Sequence, residues 1–300
     1  MAIVNEKAKK KFNGDAAYKI GLYIILILLA VIVLVPVAWV FMASVKQNSE
    51  FYGNPWTLPL GVHWQNFVDA WTKARMGDYF MTSILVTAVG IGILLVVALP
   101  AAYVLARYRF RGSKALNTGF MAGLFVNVNY IVVPIFLMFV SADGFLKKIF
   151  GAGFFLNNPV MVALVLASTT LPFTIYLLSG YFATLPKDYE EAAYMDGAGY
   201  FTTMVRIIMP MAKPSIITVI LFNFLSYWNE YIISMTMLTD PNGPRTLPVG
   251  LLNLMKAQNA KAEYGQMYAG LVMVMVPTLI LYICVQKKLT QGMTLGGLKG

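Results

Sequence analysis

The sequence predicts an all-α integral membrane protein with six transmembrane helices, on three observations. Of its 300 residues, 59% are hydrophobic and 12% charged, more apolar surface than a water-soluble fold can hide. Residues 20–45, 79–106, 115–142, 149–186 and 264–286 contain no Asp, Glu, Lys or Arg, and residues 214–239 carry a single charge, Glu230. Each run reaches the roughly 20 apolar residues that a helix needs to cross a bilayer core. The runs are also continuous rather than alternating, which argues against barrel strands. Helix is then the state that satisfies every backbone amide within its own segment.

The spans are placed at about 20–45, 80–106, 117–140, 159–182, 214–238 and 266–286. They leave an N-terminal segment 1–19, a polar connection 183–213, an outer loop 239–265 and a C-terminal tail 287–300. Lys7, Lys9, Lys10, Lys11 and Lys19 precede the first span, and Arg107, Arg109, Arg111 and Lys114 separate the second from the third. Lys187, Arg206 and Lys213 lie between the fourth and fifth, and Lys287, Lys288 and Lys299 follow the sixth. Most of the 23 basic residues therefore fall on one side, so both termini are predicted to be cytoplasmic in a multi-pass cell-membrane protein. The +10 net charge is a topology signal beside membrane spans and a poor argument for nucleic-acid binding. The first run is too long for a signal-peptide core and is read as a retained span.

Minor motifs are assigned in chain order. Trp56, Trp64 and Trp71 read as an interfacial aromatic belt, with the lone His63 among them. In the third span Asn127-Val-Asn-Tyr130 is expected to glue helices together or to line a water-filled path. Asn157-Asn158-Pro159 reads as a turn that starts the fourth span, and Pro172 as a kink within it. Cys284 reads as a packing residue of the last span. One Cys and one His offer neither a disulfide framework nor a metal cluster, and no reactive constellation or phosphate-binding GxxxxGK[ST] loop is present. A transporter with this sequence must take its energy from a partner or from an ion gradient.

The polar connection carries EEAAYMDGAGYFTTMVRIIMP, residues 190–210. Thr184 is expected to cap a short helix, with Pro186 in its first turn and Asp188, Glu190 and Glu191 near its positive end. Tyr189, Ala192, Ala193 and Asp196 share one face at helical spacing, and the alanines make it thin enough for another backbone to approach. Gly197 and Gly199 permit a sharp bend. Phe201, Met204, Val205 and Ile208 then form an apolar stripe, with Arg206 turned away and Pro210 and Pro214 at the entry to the fifth span. An amphipathic linker on the membrane surface would explain the stripe, but anionic lipid would repel its carboxylates.

This stretch closely resembles the EAA loop of membrane subunits of bacterial ABC importers. The family pattern is matched by Glu191-Ala192-Ala193, Asp196-Gly197-Ala198, Phe201, Ile207 and Pro210, with Met209 in place of the usual leucine, a volume-conserving change. ARYRFRG, WNEYI, RTLPVGL and the tail GMTLGGLKG are similar to the carbohydrate branch, specifically the second permease of maltose-type systems. The resemblance implies a type I importer permease with a second permease subunit, two cytoplasmic ATPase subunits and an extracytoplasmic solute-binding protein as partners. By the same resemblance Glu191 pairs with a basic group of an ATPase, Ala192 and Ala193 allow close packing, and Gly197 forms the bend. Gly292, Thr294, Gly296 and Gly297 would reach between the ATPases, which would bind ATP and Mg. This chain would then bind no cofactor and catalyse no reaction.

For the substrate path, Asn223, Trp228, Asn229 and Glu230 give the fifth span a polar, aromatic character suited to a neutral sugar. Glu230 lies about 24 Å along the helix from Pro214, near the outer interface, where reaching water is the simpler role. Trp228 and Tyr231 equally suit the belt. The solute class is open between a sugar or oligosaccharide and another solute such as a polyamine or glycine betaine. An ion-coupled secondary transporter is the other class; it would need intramembrane carboxylates or inverted repeats, and only Glu230 is available.

Overall fold

The structure, a computed structural model, describes the backbone of residues 2–261 and 263–297 and the side chains of residues 18–257 and 263–286. The chain forms two compact units, residues 1–70 with 257–272 and residues 71–256 with 273–300. Among the described residues there is no strand. Five helices are long and apolar enough to cross a membrane, and a sixth candidate is a helix pair bent by 76°.

In the first unit, α1 (Ala2–Ser44) contains the most apolar segment, Tyr18–Ser44. A 3-10 turn (Asn48–Phe51) and the start of α2 (Gln65–Thr72) follow. Asn66 Nδ2 donates to the carbonyls of Ser44 and Lys46 at 2.9 Å each, and buried Lys46 donates from Nζ to Pro55 O at 2.7 Å. These bonds fold the connection back on the end of α1. Trp39 packs against Trp56 at 5.2 Å and against Tyr268 at 5.0 Å. Trp56 and Trp64 are exposed.

The second unit is built on α3 (Met76–Arg107) and α6 (Pro159–Thr184), its most extensively paired helices. Val86, Gly90, Leu94, Ala98 and Ala102 recur every four residues and are all buried, which gives α3 one continuous ridge. Small residues matter here because lipid tails are as apolar as leucine, so close packing rather than exclusion of water holds membrane helices together. A Cβ on Gly90 would lie 3.0 Å from the Tyr227 ring and 3.3 Å from Ala163 O. The hydroxyls of Thr170 and Tyr227 meet at 2.6 Å, and Ser179 Oγ donates to Ala102 O at 3.2 Å.

The third span, expected at 117–140, is displaced to Val128–Phe150, the segment long and apolar enough to cross a membrane. Helix α4 (Ser113–Gly123) stops, and α5 (Val128–Phe150) begins after residues 124–127. Asn127 is the N-cap of α5, its side chain accepting from Asn129 N at 2.9 Å. The Asn-rich motif thus opens a helix rather than gluing two together. At the far end of α5, buried Asp143 accepts from the backbone N–H groups of Phe154, Phe155 and Leu156 at 2.6, 2.8 and 2.9 Å. Asn158 caps α6 through Val160 N at 3.0 Å, Pro159 takes its first turn, and Pro172 stands inside α6 without ending it. A Cβ on Gly123 would come 2.9 Å from Pro172 Cγ, so glycine lets α4 cross α6 at that point.

Beyond α6 come α7 (Asp188–Met195), α8 (Tyr200–Thr202), a π-helical turn (Thr203–Ile208) and α9 (Met209–Met211). Helix α10 (Lys213–Trp228) leaves at 76° to the preceding piece, Tyr200–Met211. The fifth span, expected as one helix over 214–238, ends at Trp228, and α11 (Ile232–Met237) restarts after a break. At 1.5 Å per residue α10 covers about 24 Å, less than a bilayer core of about 30 Å. The expected outer loop 239–265 contains α12 (Leu247–Lys261), and α13 (Tyr264–Gly297) follows. Residues 247–254 of α12 are packed rather than free: Leu247 N donates to Ser83 Oγ at 2.7 Å, and Leu247, Val249 and Leu254 are buried. Cys284, expected to pack within the last span, is exposed.

Candidate functional site

The polar connection is pinned at its base by one arginine. Arg107, the last residue of α3, donates from Nε to Glu190 Oε1 at 3.0 Å. Its Nη1 donates to Leu185 O at 2.8 Å and its Nη2 to Pro186 O at 3.2 Å. One guanidinium therefore satisfies carbonyls left open at the end of α6 and neutralises a carboxylate in the first turn of α7. Tyr103 Oη adds a 2.8 Å bond to the same Glu190 oxygen. The side chains of Arg107 and Glu190 are 4% and 11% exposed, so this ion pair is held mostly out of water. The Tyr108 and Tyr194 hydroxyls meet at 2.7 Å, and the Tyr200 ring packs 5.3 Å from that of Tyr108. The bond to Tyr108, with burial, pushes the Tyr194 phenol up to about 12, so it is neutral at physiological pH.

Local chemistry explains the shape. Thr184, expected as the cap, donates instead to Tyr181 O at 2.7 Å, and Lys187 is the N-cap of α7. The threonine hydroxyl is taken by the preceding turn because α6 runs through to it. Gly197 has φ +77, the left-handed conformation that glycine adopts without strain. Ala198 N donates to Ala193 O at 2.9 Å and Gly197 N to Tyr194 O at 3.0 Å, the paired bonds of a Schellman stop. The apolar stripe is re-registered: Thr203, Met204 and Ile208 are buried, while Phe201 and Val205 are exposed. The π-helical turn lengthens the hydrogen-bond step to five residues, Met209 N to Met204 O, which shifts a register drawn for an α-helix.

The sequence-predicted coupling residues divide between two sides. Glu191, Ala192, Asp196 and Gly197 are exposed, Ala198 is half-buried, and Ala193 is buried. The alanine pair is therefore not one thin outer face: Ala193 lets α7 lie on its own chain, and Ala192 alone is offered outward. Met195 and Phe201, 88% and 69% exposed, stand uncovered beside these groups. Residues Gly292, Thr294, Gly296 and Gly297 of the tail lie outside the described side chains. Arg107, Tyr103 and Glu190 were missed as a site by sequence reasoning. The available signal was a second carboxylate next to Glu191 and an arginine closing a span.

The expected substrate residues also separate. A cavity of about 260 Å³ is lined by Asn229 and Glu230 together with Asn129, Thr169, Thr170 and Ser226. Asn223 is buried elsewhere, donating to Thr174 Oγ1 at 3.2 Å and Val219 O at 2.8 Å. Trp228 is buried too, not in a belt: its indole N–H donates to Val274 O at 3.1 Å and its ring stacks on Phe224 at 5.5 Å. The Glu230 carboxylate accepts from Ile233 N at 2.6 Å and from Ser234 N and Oγ at 3.1 and 2.9 Å, capping α11 across the break.

Helices long and apolar enough to cross a membrane, a break beside a small cavity, and an acidic connection fixed at its root and bare at its tip suit a membrane permease. Residues 95–294 match the family described as binding-protein-dependent transport system inner membrane component, and the chain belongs to that family. The chain is 32% identical over 289 residues to the diacetylchitobiose uptake system permease protein NgcG of Streptomyces coelicolor, covering 96% of this chain and 92% of that protein. It is 28% identical over 282 residues to the trehalose/maltose transport system permease protein MalG of Thermococcus litoralis, covering 91% and 94% respectively. Its fold matches a chain in the crystal structure of a bacterial ABC transporter involved in the import of the acidic polysaccharide alginate. That match has a TM-score of 0.74 and 23% identity, and covers 91% of this chain and 97% of the other. The chain is thus a multi-pass permease subunit of the ABC importer class.

Proposed function

We propose that this permease forms one half of the translocation pathway for a sugar or oligosaccharide delivered by an extracytoplasmic solute-binding protein, with a second homologous permease as the other half. The named solutes of its relatives support the carbohydrate class. The cavity of about 260 Å³ falls below the roughly 300 Å³ of ordinary small-molecule sites, as expected of half a pathway. Two cytoplasmic ATPase subunits, which bind the ATP and Mg, grip α7; the chain itself holds no cofactor and hydrolyses nothing. Both termini are cytoplasmic, and Gly292, Thr294, Gly296 and Gly297 extend the ATPase contact.

The observation that carries this reading is the exposed Glu191, Ala192 and Asp196 flanked by uncovered Met195 and Phe201. Water disfavours such apolar exposure, and lipid headgroups disfavour the carboxylates; a protein cleft suits both. Glu191→Ala is expected to abolish uptake and ATPase co-purification while leaving membrane insertion intact. Retained co-purification overturns the assignment of α7. Uptake in vesicles that survives without ATP and collapses with an uncoupler would instead make the protein ion-coupled. Replacing residues 258–261 with a Gly-Ser link is expected to stop uptake with the ATPase still bound; unchanged uptake removes that segment from solute delivery.

A further inference from the structure

A second cavity, of about 840 Å³, opens where α3 ends and α4 begins. Arg107, Arg109, Lys114 and Lys187 line it, with Phe110 and Ala183 among its apolar walls. Residues 105–117 and 183–187 contain no Asp or Glu. Asp188 follows Lys187 but is exposed and outside the cavity lining, and Glu190 is already held by Arg107 and Tyr103. Arg109, Lys114 and Lys187 make no ion pair among the described residues. Gly112, at φ +93, turns the chain so that cations from both sides of it face one cavity. Converging unpaired cations repel one another, and an anion with several acceptor oxygens relieves that repulsion.

We propose that this cavity binds a phosphate-bearing anion, the phosphodiester headgroup of an anionic glycerophospholipid. Its position selects the class. The cavity sits at the terminus of a membrane-spanning helix, the depth at which headgroups lie, and a basic pocket between helices there suits them. Phe110, 42% exposed, and Leu105 and Ala183 in the same lining offer apolar contact for the glycerol and first acyl carbons. The volume lies within the range of ligand sites, about 300–1,000 Å³. Arg107 belongs both to this cavity and to the clamp on Glu190, so a bound headgroup would act on the base of the hinge.

The test is native mass spectrometry of the purified full-length protein titrated with phosphatidylglycerol or with phosphatidylcholine of the same chains. Retention of phosphatidylglycerol is expected to exceed that of phosphatidylcholine by about tenfold or more. The combined Arg109→Gln, Lys114→Gln, Lys187→Gln variant should lose the preference. The charge-conserving Arg109→Lys, Lys114→Arg, Lys187→Arg variant should keep it, as should Arg206→Gln with Lys213→Gln on exposed positions elsewhere. If the triple glutamine variant does not elute as the parent does, Lys114→Gln and Lys187→Gln are read singly, each with a partial loss expected. Displacement of the lipid by inorganic phosphate at constant ionic strength would assign the site to a soluble phosphate ligand, and persistence of the lipid to the headgroup. Equal retention of the two lipids, a preference that survives the glutamine variants, or equal loss in the Arg206/Lys213 control overturns the site.

Discussion

Arg107 and Glu190, 83 residues apart in sequence, meet at 3.0 Å and join the end of α3 to the first turn of α7. An ion pair so far from water is stable only if the remaining hydrogen-bonding capacity of both groups is used. Here Tyr103 adds a second bond to Glu190 Oε1, and the Leu185 and Pro186 carbonyls accept from the guanidinium. The consequence is structural: α7 is tied to the end of α3 and to the segment that follows α6 by directed bonds rather than by a loose loop.

Removing either partner leaves a buried charge alone. Arg107→Ala and Glu190→Ala are each expected to destabilise the protein by about 3–5 kcal/mol, read as a lower unfolding temperature in detergent. The double variant should cost less than the sum of the two. Arg107→Lys should fall between, since a single ammonium nitrogen cannot stand in the three places that Nε, Nη1 and Nη2 occupy.

Glu191→Ala, one residue on, should behave in the opposite way. Its side chain is exposed, so unfolding should move within about 0.5 kcal/mol of the parent while uptake is lost. A large drop in unfolding temperature would assign Glu191 to the fold instead.

Gly197→Ala isolates backbone strain, because no atom lies within 4 Å of the added Cβ. The left-handed φ of +77 should cost about 1–2 kcal/mol, and Gly197→Asn less. Transport assayed beside unfolding should fall in the same order if the bend sets the angle of the hinge.

Asp143→Ala removes the acceptor of three consecutive backbone N–H groups in the connection between α5 and α6. A loss of about 3 kcal/mol is expected, with faster hydrogen exchange confined to residues 151–158.

Gly250→Ala places a methyl group against the edge of the Tyr79 ring, so the ring or α12 must shift. Destabilisation of about 1–3 kcal/mol is expected, with Tyr79→Ala in the same chain recovering part of it.

The sequence made the membrane helices legible because a bilayer imposes length, and a run without charges is hard to hide. It concealed the breaks. Asn127 and Asn229 are uncharged, so they did not interrupt the runs, and a capping amide has the same composition as one that joins two helices. The acidic helix and glycine bend were legible as a pattern of small and charged residues, but not which alanine faces inward. That choice depends on the π-helical turn and on Arg107, a contact from a distant part of the chain. Thr184 misled for a local reason, since its hydroxyl has two backbone groups to choose from and took the nearer carbonyl.

Adjacent glutamates on one turn of α7 address opposite audiences: Glu190 its own protein, Glu191 whatever lies outside. The outward surface of α7 can therefore be rewritten without touching the scaffold. If α7 is the docking element proposed above, a graft of another importer's residues at 191, 192 and 196 should redirect docking while the inner lock at 190 keeps the host intact.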